Sequence, residues 1–374
     1  MNLVDWLQAK TSKAKARSVA LIGFGAAGQR HARALRDAGH KVCAAFARSD
    51  VSRERMEREF KASFHTDLVQ LLETSKPEAA VIATPNATHK EYAVECLKRG
   101  VHVLCEKPIA LSAPDAFEIW KAQAVSSAKF MMAWNLRYRE NSKKAFAICR
   151  SGKLGKIYSI KAEFIRNRGI PGLGKWFTDK QQSGGGVMID VGSHLLDLSW
   201  WLMQQPVPVT VSAVTHRLFQ GKIKDYDAPT MWAGPADPKG IMDVEDSCAA
   251  MIGFQGGASI QLSVAWAANI PDTGCTLSVQ GDQGGLLWSK KGDLGVFDKK
   301  GGEVPVEKML PRFKGEWYLK DMYRHFFDSL DGDEALSDAR QGYQVQAMID
   351  AVYRSAAEGR QVLVDEGLYA QKPF

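Results

Sequence analysis

The sequence predicts an α/β domain built on a doubly wound parallel sheet, followed by an α+β domain with a large, mainly antiparallel open sheet. Three observations predict it. Between Ser18 and Trp134 short apolar, β-prone runs alternate with segments of helical periodicity; beyond Ser142 to Arg150 the runs lengthen and Gly-rich turns replace the helices between them. The chain has 374 residues with 45% hydrophobic content, enough at roughly 100 to 200 residues per domain to bury two cores.

In the first stretch the runs are Val19 to Ile22, Val42 to Phe46, Ala79 to Ala83, Val101 to Cys105 and Phe130 to Ala133, with helical segments at Gly28 to Ala38, Arg53 to Phe60, His89 to Arg99 and Ala113 to Ala124. This is the βαβ rhythm of a parallel sheet, and six strands would complete it. In the second stretch Lys156 to Arg166, Val207 to His216, Ala249 to Phe254, Ala258 to Trp266 and Thr276 to Gln280 read as strands joined by hairpins and meanders. Gly169 to Gly174 and Ala228 to Gly240 read as irregular loops able to act as lids. Apolar residues recur at three and four spacing at Trp317 to Leu330 and Tyr343 to Ala357, so the tail returns to helix. The expected division is an N-terminal arm at 1–17, a first domain at 18–138 and a second at 139–374, its C-terminal helix returning towards the first.

Composition removes several functions. The 49 basic and 42 acidic residues give a net charge of +7, and no Lys/Arg block is interleaved with aromatics, so nucleic acid is not expected as a partner; the excess suits anionic ligands. No run approaches the roughly 18 apolar residues of a membrane span, and residues 1–17 lack the apolar core of a secretory signal. Cys43, Cys96, Cys105, Cys149, Cys248 and Cys275 are widely spaced, without the pairing of a metal site or a disulfide scaffold. A soluble, cytoplasmic protein without a bound metal is the expectation.

Gly23-Phe24-Gly25-Ala26-Ala27-Gly28 follows the strand Val19 to Ile22 and opens a helix. Glycines at these offsets allow a tight turn, close approach of backbone to a pyrophosphate, and close packing of helix on strand, while the helix N-terminus faces the phosphates. This is the fingerprint of a Rossmann dinucleotide site. At the end of the second strand stand Ala47, Arg48 and Ser49; Arg48 can fork onto a 2′-phosphate and Ser49 can donate to it, which favours NADP over NAD. Asp50 keeps NAD open, since it can serve a ribose hydroxyl.

The fifth strand ends in Cys105-Glu106-Lys107-Pro108, where ligands of such sheets sit, and the Lys-Pro bond is a candidate cis peptide. Further on, Gly184-Gly185-Gly186 leads into a helical segment on which Asp190 and His194 stand four apart and share a face.

Together these motifs resemble the glucose-fructose oxidoreductase and inositol dehydrogenase family (Gfo/Idh/MocA) from Val19 to about Val364. The resemblance includes Thr84-Pro85-Asn86 with His89 after the fourth strand, Glu106-Lys107-Pro108, Asn135 with Arg137 after the sixth, and the Asp190 and His194 pair. It implies hydride transfer at a secondary alcohol or ketone carbon of a sugar, glycoside or cyclic polyol, with Lys107, Asp190 and His194 matching the catalytic trio. Histidine titrates near neutral pH and suits the proton, Lys107 would stabilise negative charge on the reacting oxygen, and Asp190 would orient His194 or the substrate. The Lys and His roles could be exchanged. Glu106, Trp176 and Tyr343 match positions near the nicotinamide, although both aromatics could equally be core residues. Arg137, Arg166, Asn167 and Arg168 are candidates for substrate hydroxyls or an anionic group, and equally for surface charges. The family further implies a homodimer or homotetramer formed through the second sheet. Two other readings share the fold: a redox-neutral, NAD-dependent glycoside hydrolase and a non-catalytic NAD(P)-binding regulator, the latter disfavoured by the intact trio.

Overall fold

The computed structural model describes residues 15–47, 50–219, 231–304, 317–332 and 335–364. The described residues form two compact units, one taking in the chain up to Asn135 and the C-terminal stretch up to Tyr343, the other running from Leu136 through the second sheet and resuming at Gln344.

In the first unit β1 (Ser18–Ile22), β2 (Lys41–Phe46), β3 (Ser63–His65), β4 (Ala79–Ile82), β5 (His102–Cys105) and β6 (Phe130–Met132) form a parallel sheet in the order β3-β2-β1-β4-β5-β6. Val19 to Ile22 and Ala79 to Ile82 are fully buried, which is why they read as unbroken apolar runs: a parallel sheet is covered on both faces. Helix Ala26–Asp37 buries Gly28, His31, Ala32 and Leu35, a stripe at helical spacing. Helix Ala113–Val125 starts at Ser112, whose hydroxyl accepts from the Asp115 amide at 3.3 Å. Strand β3 and helix Leu68–Ser75 were not among the segments picked out by periodicity.

In the second unit β7 (Ile157–Ile165), β8 (Pro208–His216), β9 (Ser247–Phe254), β10 (Ser259–Ala265), β11 (Gly274–Gly281), β12 (Gly284–Ser289), β13 (Leu294–Asp298), β14 (Glu303–Val304) and β15 (Val362–Leu363) form a sheet in the order β14-β13-β12-β11-β7-β10-β9-β8-β15. Every pairing is antiparallel except β7 with β10. Strict alternation gives it one covered face: Ile160, Ala162, Phe164, Ile260, Leu262, Val264, Leu277 and Val279 are buried, whereas Lys161, Met251, Gln261 and Leu287 are exposed. Helix Ser193–Leu202 packs on β7 and β10. The hairpin from β12 to β14 was not anticipated, because its glycines dilute the alternation.

Arg137 requires a correction. It was a candidate for a substrate contact or a surface charge, yet its side chain is wholly buried, with Nε on Asp197 Oδ2 at 2.9 Å, Nη2 on Oδ1 at 2.5 Å, and its guanidinium 5.5 Å from the centre of the Trp201 ring. Burial pushes the Asp197 carboxyl up while Arg137 draws it down. Removing one partner of such a pair strands a buried charge, so Asp197→Leu should cost about 3–5 kcal/mol in denaturant unfolding, and the double variant Arg137→Met/Asp197→Leu should recover most of it. A double variant no more stable than the single one would contradict this reading.

Candidate active site

The expected nucleotide-contacting residues of the first unit lie largely at the carboxyl ends of its parallel strands, where such sheets bind ligands. After β1, the loop Gly23 to Gly28 turns into helix Ala26–Asp37, and a Cβ at Gly28 would come within 2.1 Å of the Gly23 carbonyl oxygen, so only glycine allows this packing. Gly25 and Ala26 are exposed, no side chain caps the helix, and its first turn carries no acid. A Cβ on Gly25 would meet no atom within 4 Å. Open amides at a helix N-terminus with room in front of them fit a diphosphate. The Phe24 side chain turns inward, edge-on to Phe60.

Ala47 follows β2, with its amide on the His65 carbonyl at 3.3 Å. Arg48 and Ser49 lie outside the described residues, as do residues 1–14 of the expected arm and 228–230 of the second expected loop. After β4 come Thr84, Pro85 and Asn86, and the Thr84 hydroxyl accepts from Thr88 at 2.7 Å. His89 was expected at the cofactor. Its ring is instead fully buried, with Nδ1 2.7 Å from the Pro108 carbonyl oxygen and Nε2 3.1 Å from that of Thr84. It ties two loops together, and burial lowers its pKa although both carbonyls oppose this.

After β5 come Glu106 and Lys107, both partly open, and the Lys107–Pro108 bond is cis. Glu106 Oε1 meets His31 Nε2 at 2.8 Å, and His31 Nδ1 meets the Tyr323 hydroxyl at 2.6 Å. Burial alone would raise the Glu106 carboxyl; the His31 hydrogen bond, with the charges of His31, Lys107 and Arg30, brings it down to about 2. Glu106 is thus an anion beside Lys107. Asn135 follows β6 in a short 3-10 turn, half-buried. Tyr343 is wholly buried, stacked on Trp120 with centroids 5.6 Å apart and tilted against Phe117, a packing position.

In the second unit the Gly-rich approach has a specific partner. The buried Glu245 carboxylate accepts from the Gly186 amide at 2.9 Å, the Met188 amide at 3.0 Å and the Tyr353 hydroxyl at 2.8 Å. A Cβ on Gly186 would come within 1.9 Å of the Glu245 carbonyl oxygen. From this capped start the chain winds as a π-helical turn over Met188–Gly192 and continues as helix Ser193–Leu202. Four residues is close to one turn of either winding, so Asp190 and His194 share a face. From Gly185 to Met203 they alone keep part of their surface open. Asp190 Oδ2 accepts from the indole of fully buried Trp266 at 2.9 Å.

Trp266, Glu245 and Tyr353 were missed. Trp266 had a signal, because it continues the alternation of Ile260, Leu262 and Val264; Glu245 had none, since its partners are remote in sequence. Trp176 is half-buried in a 3-10 turn and stacks on Phe177 at 3.8 Å. Arg166 is half-buried, with Nη1 on the Gly169 carbonyl at 2.9 Å and its guanidinium 4.6 Å from the centre of the Phe164 ring.

Two family models match: an oxidoreductase family's NAD-binding Rossmann fold over residues 17–133 and the same family's C-terminal alpha/beta domain over residues 149–364. D-glucoside 3-dehydrogenase of Escherichia coli (strain K12) is 28% identical over 308 residues, 82% of this chain and 85% of its own length. Levoglucosan dehydrogenase of Pseudarthrobacter phenanthrenivorans is 25% identical over 303 residues, 74% of this chain and 77% of its own. A solved structure of levoglucosan dehydrogenase in complex with NADH and L-sorbose has a TM-score of 0.81 at 22% identity, covering 94% of this chain and 99% of that one, which shows the shared fold. No helix among the described residues is long and apolar enough to cross a membrane. The chain belongs to the Gfo/Idh/MocA oxidoreductase family, whose members join an NAD-binding Rossmann domain to a C-terminal α/β domain.

Proposed function

We propose that this oxidoreductase transfers hydride between nicotinamide C4 and a secondary alcohol or ketone carbon of a sugar, glycoside or cyclic polyol. The observation that carries the reading is the pair Asp190 and His194, the two side chains left open along an otherwise buried segment and set on one helical face. Packing alone would fill such positions with apolar residues. The relatives named as a D-glucoside 3-dehydrogenase and a levoglucosan dehydrogenase support a carbohydrate substrate.

Gly23 to Gly28 would hold the diphosphate, Ala47, Arg48 and Ser49 the adenosine ribose, and Thr84 to Asn86, Glu106, Lys107, Asn135 and Trp176 the nicotinamide half. When bound, the nicotinamide supplies the hydride acceptor or donor. His194 takes the hydroxyl proton during oxidation and returns it during reduction. The Lys107 ammonium donates to the reacting oxygen and stabilises its developing charge. Asp190, its carboxylate fixed by Trp266, orients His194 or a substrate hydroxyl. Arg48 and Ser49 favour NADP over NAD as the working cofactor.

A panel of polyols, aldoses and glycosides, followed by absorbance of reduced nicotinamide, tests this. At least one member should turn over, and His194→Ala should keep nicotinamide binding while losing about 10²- to 10⁴-fold in rate. Unaltered turnover would remove His194 from the chemistry, and a silent panel with both cofactors would contradict the dehydrogenase reading. For the cofactor, Arg48→Asp should shift the binding preference from NADP towards NAD. An unchanged preference would take Arg48 out of the account.

A further inference from the structure

Asp190 is held from two sides, and both holds come from one corner of the second sheet. Strands β9 and β10 pair as far as Ser247 opposite Ala265, and one step further the Trp266 amide donates to the Asp246 carbonyl at 2.9 Å. Trp266 therefore stands at a fixed sheet end, and its indole donates to Asp190 Oδ2 at 2.9 Å. The residue before Asp246 is Glu245, only 3% exposed. Its backbone carbonyl accepts from the Val187 amide at 3.1 Å, and its carboxylate takes the amides on either side, Gly186 at 2.9 Å and Met188 at 3.0 Å. Three successive amides at the head of the segment that carries Asp190 thus end on one residue. The Asp190 amide in turn donates to the Gly186 carbonyl at 2.9 Å, which puts its backbone one hydrogen bond from that anchor.

A helix start does not need so remote a partner for stability alone. A Ser, Thr, Asp or Asn beside it supplies an acceptor locally, and Ser183 already meets the Gly185 amide at 3.3 Å. Burying a carboxylate also costs free energy that its hydrogen bonds must offset. Glu245 nevertheless reaches back 59 positions to Gly186, and the glycines are fitted to it. A Cβ on Gly186 would lie 1.9 Å from the Glu245 carbonyl oxygen, and one on Gly185 2.0 Å from the Tyr353 hydroxyl, which donates to Glu245 at 2.8 Å. What the remote acceptor adds is registration. It ties the segment bearing Asp190 and His194 to the corner that presents Trp266, so that the backbone and the carboxylate of Asp190 are set in one frame. His194, about one turn further on the same face, follows.

We propose that Glu245 is a positioning residue of the hydride-transfer site: through the amides of Gly186 and Met188 it sets where Asp190 and His194 stand against Trp266, without itself touching substrate or cofactor. Tyr353, on helix Ala339–Glu358, braces the Glu245 carboxylate. The proposal rests on the oxidoreductase reading for what the pair does and on the hydrogen-bond geometry for how the pair is held.

Two substitutions test it. Glu245→Gln keeps the shape of the side chain but turns one accepting oxygen into a donor that faces donors, and Tyr353→Phe removes the brace. In a crystal structure of Glu245→Gln, Asp190 and His194 should be displaced by about 1 Å against β7 and β10, a misplacement able to cost about a hundredfold in rate. Single-turnover hydride transfer with a substrate found in the panel above should slow about tenfold to a hundredfold, while KM and nicotinamide Kd stay within about twofold, as for an interaction that matters only in the transition state. Tyr353→Phe should show smaller changes of the same kind, and carries the test should Glu245→Gln fail to fold. A residue needed only for stability would lower the folded fraction and leave the transfer rate per folded site unaltered. An unmoved pair, or a displaced pair with an unaltered rate per folded site, overturns the proposal. A panel in which the unsubstituted protein transfers no hydride overturns the oxidoreductase reading instead, and the crystal structure still decides whether Glu245 sets the pair.

Discussion

The Glu245 carboxylate, shared between the amides of Gly186 and Met188 and the hydroxyl of Tyr353, joins three stretches of the second unit that are remote in sequence. Helix starts leave amides unsatisfied, and a buried start needs an acceptor from elsewhere in the fold. Here that acceptor is itself buried, and burial raises its pKa against the pull of its hydrogen bonds. Its position sets where the π-helical turn begins, hence the angle at which Asp190 and His194 leave the helix. Trp266 fixes the Asp190 carboxylate from the sheet side. Two supports from different elements therefore orient one face, and preorganised groups of this kind do not have to reorganise during reaction.

The first unit applies the same logic with different parts. His31 on the helix after the Gly-rich loop bridges Glu106 at the end of β5 and Tyr323 on helix Trp317–Leu330. His89 bridges the loops after β4 and β5. The residues expected to meet the nucleotide are thus braced by buried polar bridges that are not themselves open, and the two bridges end on Glu106 and Pro108, the chain neighbours of Lys107. Satisfied polar networks cost little and specify one arrangement, whereas the same groups unpaired would be destabilising.

Much of this was legible in the sequence because it is local. Unbroken apolar runs mark the covered strands of the first sheet, strict alternation marks the half-covered strands of the second, and the glycines at 23 and 28 report close backbone approaches that no other residue allows. Asp190 and His194 were legible as a four-residue spacing. What escaped is nonlocal or weakly patterned: β3 has three residues, the β12 to β14 hairpin is Gly-rich, and Glu245 is separated from Gly186 by 59 positions. Arg137 was misread for a physical reason. An arginine after a strand looks the same in sequence whether it reaches a ligand or a buried aspartate 60 residues on.

We propose a hydride-transfer enzyme in which the open polar pair Asp190 and His194 handles the proton and the nucleotide loop holds the acceptor. Isotopic labelling tests that most directly. A turned-over substrate carrying deuterium at the reacting carbinol carbon is incubated with the oxidised cofactor, and both products are examined by mass spectrometry. The account predicts one deuterium on the nicotinamide ring, none released to water, and a slower chemical step than with hydrogen. Deuterium lost to solvent, or retained at the same carbon after complete conversion, would contradict it.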